Sequence, residues 1–305
     1  MKVLITGGLG FVAQHLIPEL EQAGHETVKL DIQYAEGSFY CDLRDAESIR
    51  KLVGSVAPDA CIHLGGIAFV PMGWQNPELV YSVNLIGTLN LLEAFRHEKP
   101  EARILAVSSS LIYQNAHTGH PLDETAYIFP PDIYAISKIA ADLTALGYAK
   151  RYDMPVMTAR PINHTGPGQS PSFVTSAFAR QLCKIKFGAC EPVMKVGNLE
   201  SKRDFLDVRD VAYAYRLLIE RGTAGEPYNI ATGNLHTIQN VLDMLCEIAG
   251  VTPALEIDPE LFRPTDASPV MKIDKIKETV GWQPKIPLRK TLEDLYHSIE
   301  ALDRS

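Results

Sequence analysis

The 305-residue chain lacks any apolar run close to the roughly 20 residues that a membrane-spanning helix needs. It also lacks the apolar core of a signal peptide, because the short stretch Val3–Ile5 runs directly into glycines. Runs of Lys and Arg are missing, and a net charge of −8 disfavours nucleic acid, which requires a concentrated basic surface. These absences predict a cytoplasmic protein with no membrane or nucleic-acid partner.

Cysteine is scarce and scattered. The five cysteines show no CxxC spacing, and their odd number argues against a disulfide framework. Such thiols are typical of reduced, structural positions in an intracellular protein. No metal site is predicted from the sequence.

Short β-rich segments alternate with helical ones through the first half of the chain. Strands are predicted at Lys2–Thr6, Thr27–Asp31, Ala60–Leu64, Ile104–Ser108 and Met154–Ala159, and helices at Gln14–Ala23, Val83–Arg96 and Tyr134–Arg151. This β-α-β alternation predicts an α/β fold, a doubly wound parallel sheet with helices on both faces.

A glycine-rich turn separates the first predicted strand from the first helix. Its spacing is GxxGxxA, with Gly7, Gly10 and Ala13 at the fixed positions. Glycines in such a turn let the backbone approach a pyrophosphate, whose charge meets the helix N-terminus. The strand-turn-helix context makes this a predicted dinucleotide site.

An acidic residue ends the second predicted strand. The Asp31 carboxylate is suited to accept hydrogen bonds from the adenosine ribose and to repel a 2′-phosphate, which favours NAD(H) over NADP(H). The alternative is a solvent-exposed carboxylate without a ligand. The carboxylate of Asp42, next to Leu43, is a second candidate, for the adenine amino group.

Tyr134 and Lys138 stand four residues apart, on one face of a predicted helix. A nearby cation favours the phenolate, so Lys138 is expected to lower the pKa of Tyr134 toward neutrality with help from an oxidised nicotinamide. Ser109 follows the strand that ends near Ser108, at the edge where open parallel sheets bind ligands. Its hydroxyl is a candidate hydrogen-bond donor to a reacting oxygen, although serines at strand ends are also ordinary turn residues.

Beyond Pro161 the pattern becomes irregular, with frequent prolines, although Pro227–Ala231 is predicted as a strand and Asn240–Ala249 as a helix. We therefore predict a Rossmann dinucleotide-binding domain of residues 1–162 together with about 205–250. A smaller mixed α/β domain is predicted over about 163–204 and 251–305.

Taken in order, the glycine turn, Ser109, Tyr134 and Lys138 resemble the extended short-chain dehydrogenases/reductases, a family of nucleotide-sugar epimerases, dehydratases and reductases. The resemblance runs from about Lys2 to beyond Leu295. Segments of the second half, among them 160–169, 195–210 and 281–288, resemble the branch of GDP-4-keto-6-deoxy-D-mannose reductase and GDP-mannose 4,6-dehydratase.

The resemblance implies roles for individual residues. Tyr134 would exchange a proton with the substrate oxygen, Lys138 would bind the nicotinamide ribose, and Ser109 would position that oxygen. Further cofactor contacts are implied at Phe11, Val12, Leu64 and Gly65. Substrate contacts are implied at Ser110, Asn163, Val174, Arg203, Arg263 and Asp266. For Arg203 the alternative is an ion pair with Asp204 or Asp207, two residues that are also candidate helix caps. A homodimer through the helices 83–96 and 134–151 is expected on the same basis.

Two departures from the family pattern bear on the reaction. Leu111 stands where dehydratases carry the acid that removes a proton from C5, so dehydration is not expected. His63-Leu64-Gly65-Gly66 replaces the usual pair of alanines by glycines, which is expected to widen the space near the nicotinamide.

The leading hypothesis is reduction at C4 of a GDP-linked 4-keto-6-deoxyhexose, with Tyr134 as the acid. The alternative is a 4-epimerase that retains its NAD, which is favoured by Asp31 and by the missing carboxylate at Leu111, whereas the second-half segments favour the reductase. A non-catalytic dinucleotide sensor is the third reading, but it has no need of Ser109, Tyr134 and Lys138 together.

Overall fold

A seven-stranded parallel sheet organises the part of the chain that the computed structural model describes, residues 1–113, 120–261 and 269–303. The strands in chain order are β1 (Lys2–Thr6), β2 (Glu26–Asp31), β3 (Ser38–Tyr40), β4 (Ala60–His63), β5 (Arg103–Val107), β6 (Val156–Pro161), β7 (His164–Thr165), β8 (Val193–Val196), β9 (Lys202–Asp204), β10 (Leu206–Asp207), β11 (Pro227–Ile230), β12 (Leu235–Thr237) and β13 (Ala254–Ile257). The order across the large sheet is β11-β6-β5-β4-β1-β2-β3.

The helices cover both faces of this sheet. In chain order they are α1 (Phe11–Gln22), α2 (Ala46–Val56), α3 (Met72–Gln75), α4 (Pro77–Tyr81), α5 (Gly87–Glu98), α6 (Ile133–Tyr152), α7 (Val174–Lys186), α8 (Val208–Arg221), α9 (Ile238–Ala249), α10 (Asp274–Val280) and α11 (Leu288–Asp303). A π-helical turn, Ser82–Ile86, precedes α5, and a 3₁₀ turn, Ser110–Tyr113, follows β5. Within these ranges no helix is long and apolar enough to cross a bilayer.

Successive side chains along a strand point to opposite faces of the sheet, and this divides the apolar core into two layers. In β1, Val3 and Ile5 pack with α1 and α8 on one face, whereas Leu4 packs with α2 and α5 on the other. Both faces of a strand are therefore apolar, as expected for a parallel sheet with helices on each side. The doubly wound α/β fold predicted from the sequence is confirmed.

A third apolar cluster lies outside the sheet and combines α7, α9, α11 and β8. Part of the second half returns to the sheet, where β11 pairs with β6 and α8 packs against α1. The predicted return over about 205–250 also contains α9, which instead packs with α7 and α11. The exact division into two domains stays a prediction.

Buried Asp210 ties the C-terminal segment to α8. Its carboxylate accepts hydrogen bonds from the backbone N–H groups of Lys285 (2.9 Å) and Ile286 (2.8 Å), and its carbonyl accepts one from Trp282 Nε1 (3.0 Å). Among the described residues, none of the five cysteines is disulfide-bonded.

The carboxyl ends of the central strands define one edge of the sheet. Thr6, His63, Val107 and Pro161 end β1, β4, β5 and β6, which run in parallel. The glycine turn, Gly65, Ser109 and Asn163 directly follow these ends. The sheet therefore brings segments from four distant parts of the sequence to one edge.

Candidate active site

The glycine turn after β1 is shaped by close backbone approaches. Gly7 has φ +66°, and a Cβ on it would lie 3.0 Å from the Cα of Gly65. A Cβ on Gly8 would lie 2.9 Å from the Cβ of Lys29 in β2. Gly10 then caps α1 without a side-chain acceptor, and no acidic residue lies in the first turn of that helix. This leaves a helix N-terminus suited to an anion, so the residues present fit a dinucleotide pyrophosphate.

Asp31 at the end of β2 is fixed against this turn. Its Oδ2 accepts a hydrogen bond from the N–H of Leu9 (3.1 Å), and its Oδ1 accepts one from the N–H of Gln33 (3.0 Å). Two backbone N–H groups therefore fix the carboxylate, and its contact with a ribose stays a prediction. The carboxylate orders the glycine turn while keeping its negative charge at the adenosine end of the predicted site.

Asp42 has a partner that the sequence did not indicate. Its carboxylate accepts hydrogen bonds from Arg44 Nε (3.0 Å) and Arg44 Nη2 (2.5 Å), and this arginine holds the pKa of Asp42 below its usual range. Leu43 is buried beside Gly65, where a Cβ would lie 2.8 Å from Leu43 Cδ1. The carboxylate that was predicted to contact the adenine amino group is therefore already hydrogen-bonded to a guanidinium.

Ser109, Tyr134 and Lys138 are brought together by β5 and α6. Asp132 caps α6, accepting a hydrogen bond from Ala135 N (2.8 Å), which places Tyr134 in the first turn. Tyr134 is 8% exposed and hydrogen-bonded to Ser109. Lys138 Nζ donates to the carbonyl of Val107, at the end of β5 (2.5 Å). The predicted catalytic trio is thus assembled at the edge of the sheet that carries the glycine turn.

Burial dominates the electrostatics of the pair in the chain alone. Burial raises the pKa of Tyr134 to about 12, and the hydrogen bond with Ser109 opposes this rise. Burial lowers the pKa of Lys138 to about 8. In the chain alone the ammonium of Lys138 is directed at Val107, and desolvation of the phenol dominates its pKa. Tyr134 is therefore a protonated acid in this structure. The lowering expected with a bound oxidised nicotinamide stays a prediction.

A buried histidine connects β1, β4 and α5. His63 Nδ1 lies 2.7 Å from Thr6 Oγ1, and His63 Nε2 lies 2.9 Å from Thr88 Oγ1. Thr88 donates its own proton to the carbonyl of Asn84 (2.6 Å), so it must accept from Nε2–H. His63 is therefore the Nε2–H tautomer, and Thr6 donates to Nδ1 while accepting from Gly65 N (3.0 Å). Burial lowers the pKa of His63 to about 3, which keeps the ring neutral.

The same chain of hydrogen bonds continues into the catalytic helix. Asn84 lies in the π-helical turn, and its Nδ2 donates to Ser137 Oγ (3.0 Å), which donates to the carbonyl of Tyr134 (2.7 Å). Asn84 Oδ1 also accepts from Ile67 N (2.8 Å). Since π-helical turns are frequent at functional sites, we interpret this one as the element that joins the loop after β4 to α6.

Residues after β6 cover the start of α1. The Phe11 ring stacks on His164, with centroids 6.2 Å apart and planes 6° from parallel. His15 Nε2 lies 2.9 Å from the carbonyl of Pro167. Sequence reasoning did not assign His15 or His164 a role, and no local pattern marks two histidines from such distant segments as neighbours.

The predicted substrate residues are distributed over several elements. Ser110 is buried at the start of the 3₁₀ turn, and Val174 begins α7. The carbonyl of Asn163 accepts from Leu206 N in β10 (2.9 Å), and Arg203 lies in the preceding strand, β9. Arg263 and Asp266 lie outside the described residues.

The acidic neighbours of Arg203 have other partners. Asp207 caps α8, as one sequence alternative held, accepting from Arg209 N (2.8 Å) and from Thr291 Oγ1 (2.7 Å). Asp204 accepts from Thr232 Oγ1 (2.5 Å) and Gly233 N (2.8 Å). Both carboxylates therefore stabilise local structure.

Comparison with known proteins places these features in one family. A family model described as GDP-mannose 4,6 dehydratase matches residues 4–295. The chain is 34% identical over 302 residues to the GDP-6-deoxy-D-mannose reductase of Pseudomonas aeruginosa, covering 98% of this chain and 97% of that protein.

Solved structures agree with this match. RMD from Pseudomonas aeruginosa, complexed with NADPH, superposes with a TM-score of 0.89 at 33% identity, covering 99% of both chains. The UDP-glucose 4-epimerase of Thermus thermophilus, in complex with NAD, superposes with a TM-score of 0.87 at 29% identity, covering 98% of this chain and 99% of that chain.

Proposed function

Because the chain belongs to the GDP-mannose 4,6 dehydratase family, we propose that it reduces C4 of a GDP-linked 4-keto-6-deoxyhexose with a nicotinamide cofactor. The observation that carries this proposal is the buried, protonated Tyr134 hydrogen-bonded to Ser109, with Leu111 where a dehydratase needs an acid. Reduction of a ketone requires a proton donor at the carbonyl oxygen and no base at C5. The similarity to the Pseudomonas aeruginosa reductase supports the same choice.

Three side chains of the site, those of Tyr134, Ser109 and Lys138, have separate roles in the proposed reduction. A bound reduced nicotinamide supplies a hydride. Tyr134 Oη holds the proton that the substrate O4 receives as the ketone becomes an alcohol. The Ser109 hydroxyl donates a hydrogen bond to the same oxygen, which stabilises the negative charge that develops there. Lys138 would hold the cofactor ribose, and its positive charge would stabilise the phenolate that Tyr134 becomes when it gives its proton to O4. The phenolate would take a proton from solvent before the next turnover.

Asp31 supports a preference for NAD(H) over NADP(H). The two hydrogen bonds from Leu9 and Gln33 hold its carboxylate at the end of β2, where a 2′-phosphate would meet a fixed negative charge. The Pseudomonas aeruginosa protein was solved with NADPH, so this preference would separate the two enzymes. The cluster of α7, α9 and α11, with β9 beside it, is the part of the chain that we assign to nucleotide-sugar binding.

A homodimer through α6 is the assembly that we infer. Ile136, Ala140, Leu143 and Gly147 recur at i, i+4, i+7 and i+11 and so share one face of the helix. Ile136 is 39% and Leu143 55% exposed, and a Cβ on Gly147 would meet no atom within 4 Å. This apolar stripe is opposite the face of α6 that holds the catalytic side chains, so pairing would leave the site open. A cytoplasmic location also stays a prediction.

The experiment that tests the function follows absorbance at 340 nm with NADH and a GDP-4-keto-6-deoxyhexose. We expect stoichiometric loss of NADH, and a Tyr134→Phe variant that binds NADH normally but turns over about 10²–10⁴-fold more slowly. Undiminished turnover by Tyr134→Phe would exclude the proposed acid. Purified protein that retains NAD and interconverts two sugars without consuming NADH would identify a 4-epimerase, the alternative favoured by Asp31. A wild-type protein that acts on no nucleotide-sugar would support the third hypothesis, a non-catalytic dinucleotide sensor.

A further inference from the structure

Large apolar side chains are exposed around the end of β2 that carries Asp31. They are those of Ile32, Tyr34, Phe39 and Tyr40. Exposed apolar side chains gathered in one place are typical of a contact with a ligand or with another protein. Two of them, Phe39 and Tyr40, belong to β3, so strand pairing fixes where they stand.

Strand pairing places Tyr40 beside Asp31. β3 is parallel to β2, with Tyr40 opposite Asp31 and Phe39 opposite Leu30. The N–H of Cys41 donates to the carbonyl of Asp31 (2.9 Å), which fixes this register at the strand ends. Successive side chains of a strand alternate between faces, and neighbouring strands lie about 4.8 Å apart. The Tyr40 ring, which is 63% exposed, therefore shares the face of Asp31, and Phe39, 48% exposed, stands on the opposite face.

The face that Tyr40 shares is the one next to the glycine turn. Asp31 Oδ2 accepts from Leu9 N (3.1 Å) in that turn. Lys29 is two residues before Asp31 on the same face of β2, and its Cβ lies 2.9 Å from the place of a Cβ on Gly8. A dinucleotide that extends from the glycine turn past Asp31 therefore meets the Tyr40 ring next.

The other candidate for the adenine, Asp42, has little acceptor capacity left. Its Oδ1 accepts from Arg44 N (2.9 Å) and Arg44 Nε (3.0 Å), and its Oδ2 accepts from Arg44 Nη2 (2.5 Å). A carboxylate offers about four acceptor sites, so these three donors leave about one for an adenine amino group. The flat face of the base is then the larger surface left to be held.

We propose that the Tyr40 ring stacks on the adenine of the bound dinucleotide and is the main contact of that base. The inference rests on the proposed function for the cofactor, and not for the sugar. Asp31 and Tyr40 divide the adenosine between them, since the carboxylate accepts from the ribose and the phenol ring covers the base. Stacking uses the π-face that every base presents, so it does not depend on the carboxylate that Arg44 already holds.

The test measures the affinity for NADH by fluorescence titration, and the affinity for ADP-ribose by displacement of NADH. ADP-ribose carries the adenosine and both phosphates but no nicotinamide. Tyr40→Ala is expected to weaken both ligands about tenfold, because a base loses an aromatic partner. Tyr40→Phe keeps the ring and is expected to bind both within about twofold of the wild type.

Phe39→Ala is the matched control, because it truncates the neighbouring exposed aromatic side chain on the other face of the sheet. It is expected to leave both affinities within about twofold, and neither exposed position is expected to affect folding greatly. Equal losses in Phe39→Ala and Tyr40→Ala would overturn the proposal, as would a loss in Tyr34→Ala with none in Tyr40→Ala. A Tyr40→Phe variant as weak as Tyr40→Ala would also overturn it, because the hydroxyl rather than the ring would then be the contact. Weaker NADH with unaltered ADP-ribose would place the effect at the nicotinamide end and count against the adenine.

This inference and the proposed reduction can fail separately. A protein that shows the expected affinities but reduces no GDP-4-keto-6-deoxyhexose would refute the proposed substrate and leave the assignment of Tyr40 in place. Unchanged NADH affinity in Tyr40→Ala, together with turnover of the keto sugar by the wild type, would refute the assignment and leave the function. A wild type that does not bind NADH would overturn both.

Discussion

Replacing Asp31 by Asn removes a negative charge from the end of the site that we propose for adenosine, with little change of shape. In the wild type, the two carboxylate oxygens accept one backbone hydrogen bond each, from Leu9 (3.1 Å) and Gln33 (3.0 Å). An asparagine can keep only one of these bonds, since its NH₂ group is a donor. The variant therefore changes both the charge and the order of the glycine turn.

The magnitude follows from these contacts. A hydrogen bond to a charged group contributes about 1.5–3 kcal/mol. Loss of the bond that a ribose hydroxyl would donate to the carboxylate is therefore expected to weaken NADH binding by about tenfold or more. Removing the repulsion of a 2′-phosphate strengthens NADPH, and the lost bond to the turn offsets part of that gain. We expect the ratio of the two dissociation constants to change by about 10- to 100-fold toward NADPH.

Fluorescence titration with NADH and NADPH measures both constants directly. Asp59→Asn is the matched control, because Asp59 also accepts a backbone hydrogen bond, from Lys2 (2.7 Å), but lies before β4 at the opposite edge of the sheet. It is expected to leave the ratio unchanged. The reasoning would be refuted by a wild type that binds NADPH as tightly as NADH, or by an Asp31→Asn variant with an unaltered ratio.

Two further predictions concern stability and assembly. Burial lowers the pKa of His63 from 6.5 to about 3 in the folded chain. Between pH 6.5 and 3 the unfolded chain therefore binds a proton on this ring that the folded chain does not, and the stability of the fold decreases as the pH drops through this range. In His63→Asn the free energy of unfolding is expected to lose this contribution, up to roughly 4 kcal/mol between pH 6.5 and 3, as measured by urea unfolding. A variant whose free energy of unfolding falls as steeply with pH as that of the wild type would contradict the assignment. Leu143→Glu is expected to convert the proposed dimer to a monomer, as measured by light scattering. Leu255→Glu, at an exposed strand position, is the control and is expected to leave the mass unchanged. A wild-type protein that is already a monomer would disprove the proposed interface.

Features encoded in a short stretch of sequence were predictable. The strand Lys2–Thr6 is observed with the predicted bounds, because its apolar run ends at glycines that cannot continue it. The helix that carries Tyr134 and Lys138 was predicted as 134–151 and observed as Ile133–Tyr152. Its beginning is fixed by the cap at Asp132, and its end by Asp153, which adopts φ +55°. Such signals are local and can be read from a single chain.

Features that depend on distant partners were not predictable. The helix predicted over 83–96 begins as a π-helical turn, which is held by the contacts of Asn84 with Ile67 and Ser137. His63 was noted only as part of a motif, although its partners Thr6 and Thr88 lie 57 and 25 residues away. The burial of Tyr134 was not predictable for a similar reason, since the spacing to Lys138 shows proximity but not how deeply the phenol is buried.

The glycine at position 65 provides a last test, because a Cβ there would meet two neighbouring side chains. A Cβ on Gly65 would lie 2.8 Å from Leu43 Cδ1 and 3.0 Å from Thr6 Oγ1, the hydroxyl that serves His63. Gly65→Ala is therefore expected to cost about 1–3 kcal/mol of folding free energy and to weaken NADH binding. Leu43→Val removes the nearer contact, so the double variant is expected to recover at least about 0.5 kcal/mol relative to the sum of the single changes. If the free-energy changes of Gly65→Ala and Leu43→Val simply add in urea unfolding, contact with Leu43 is not the reason that position 65 requires glycine. The constraint would then be Thr6, through its hydrogen bond to His63.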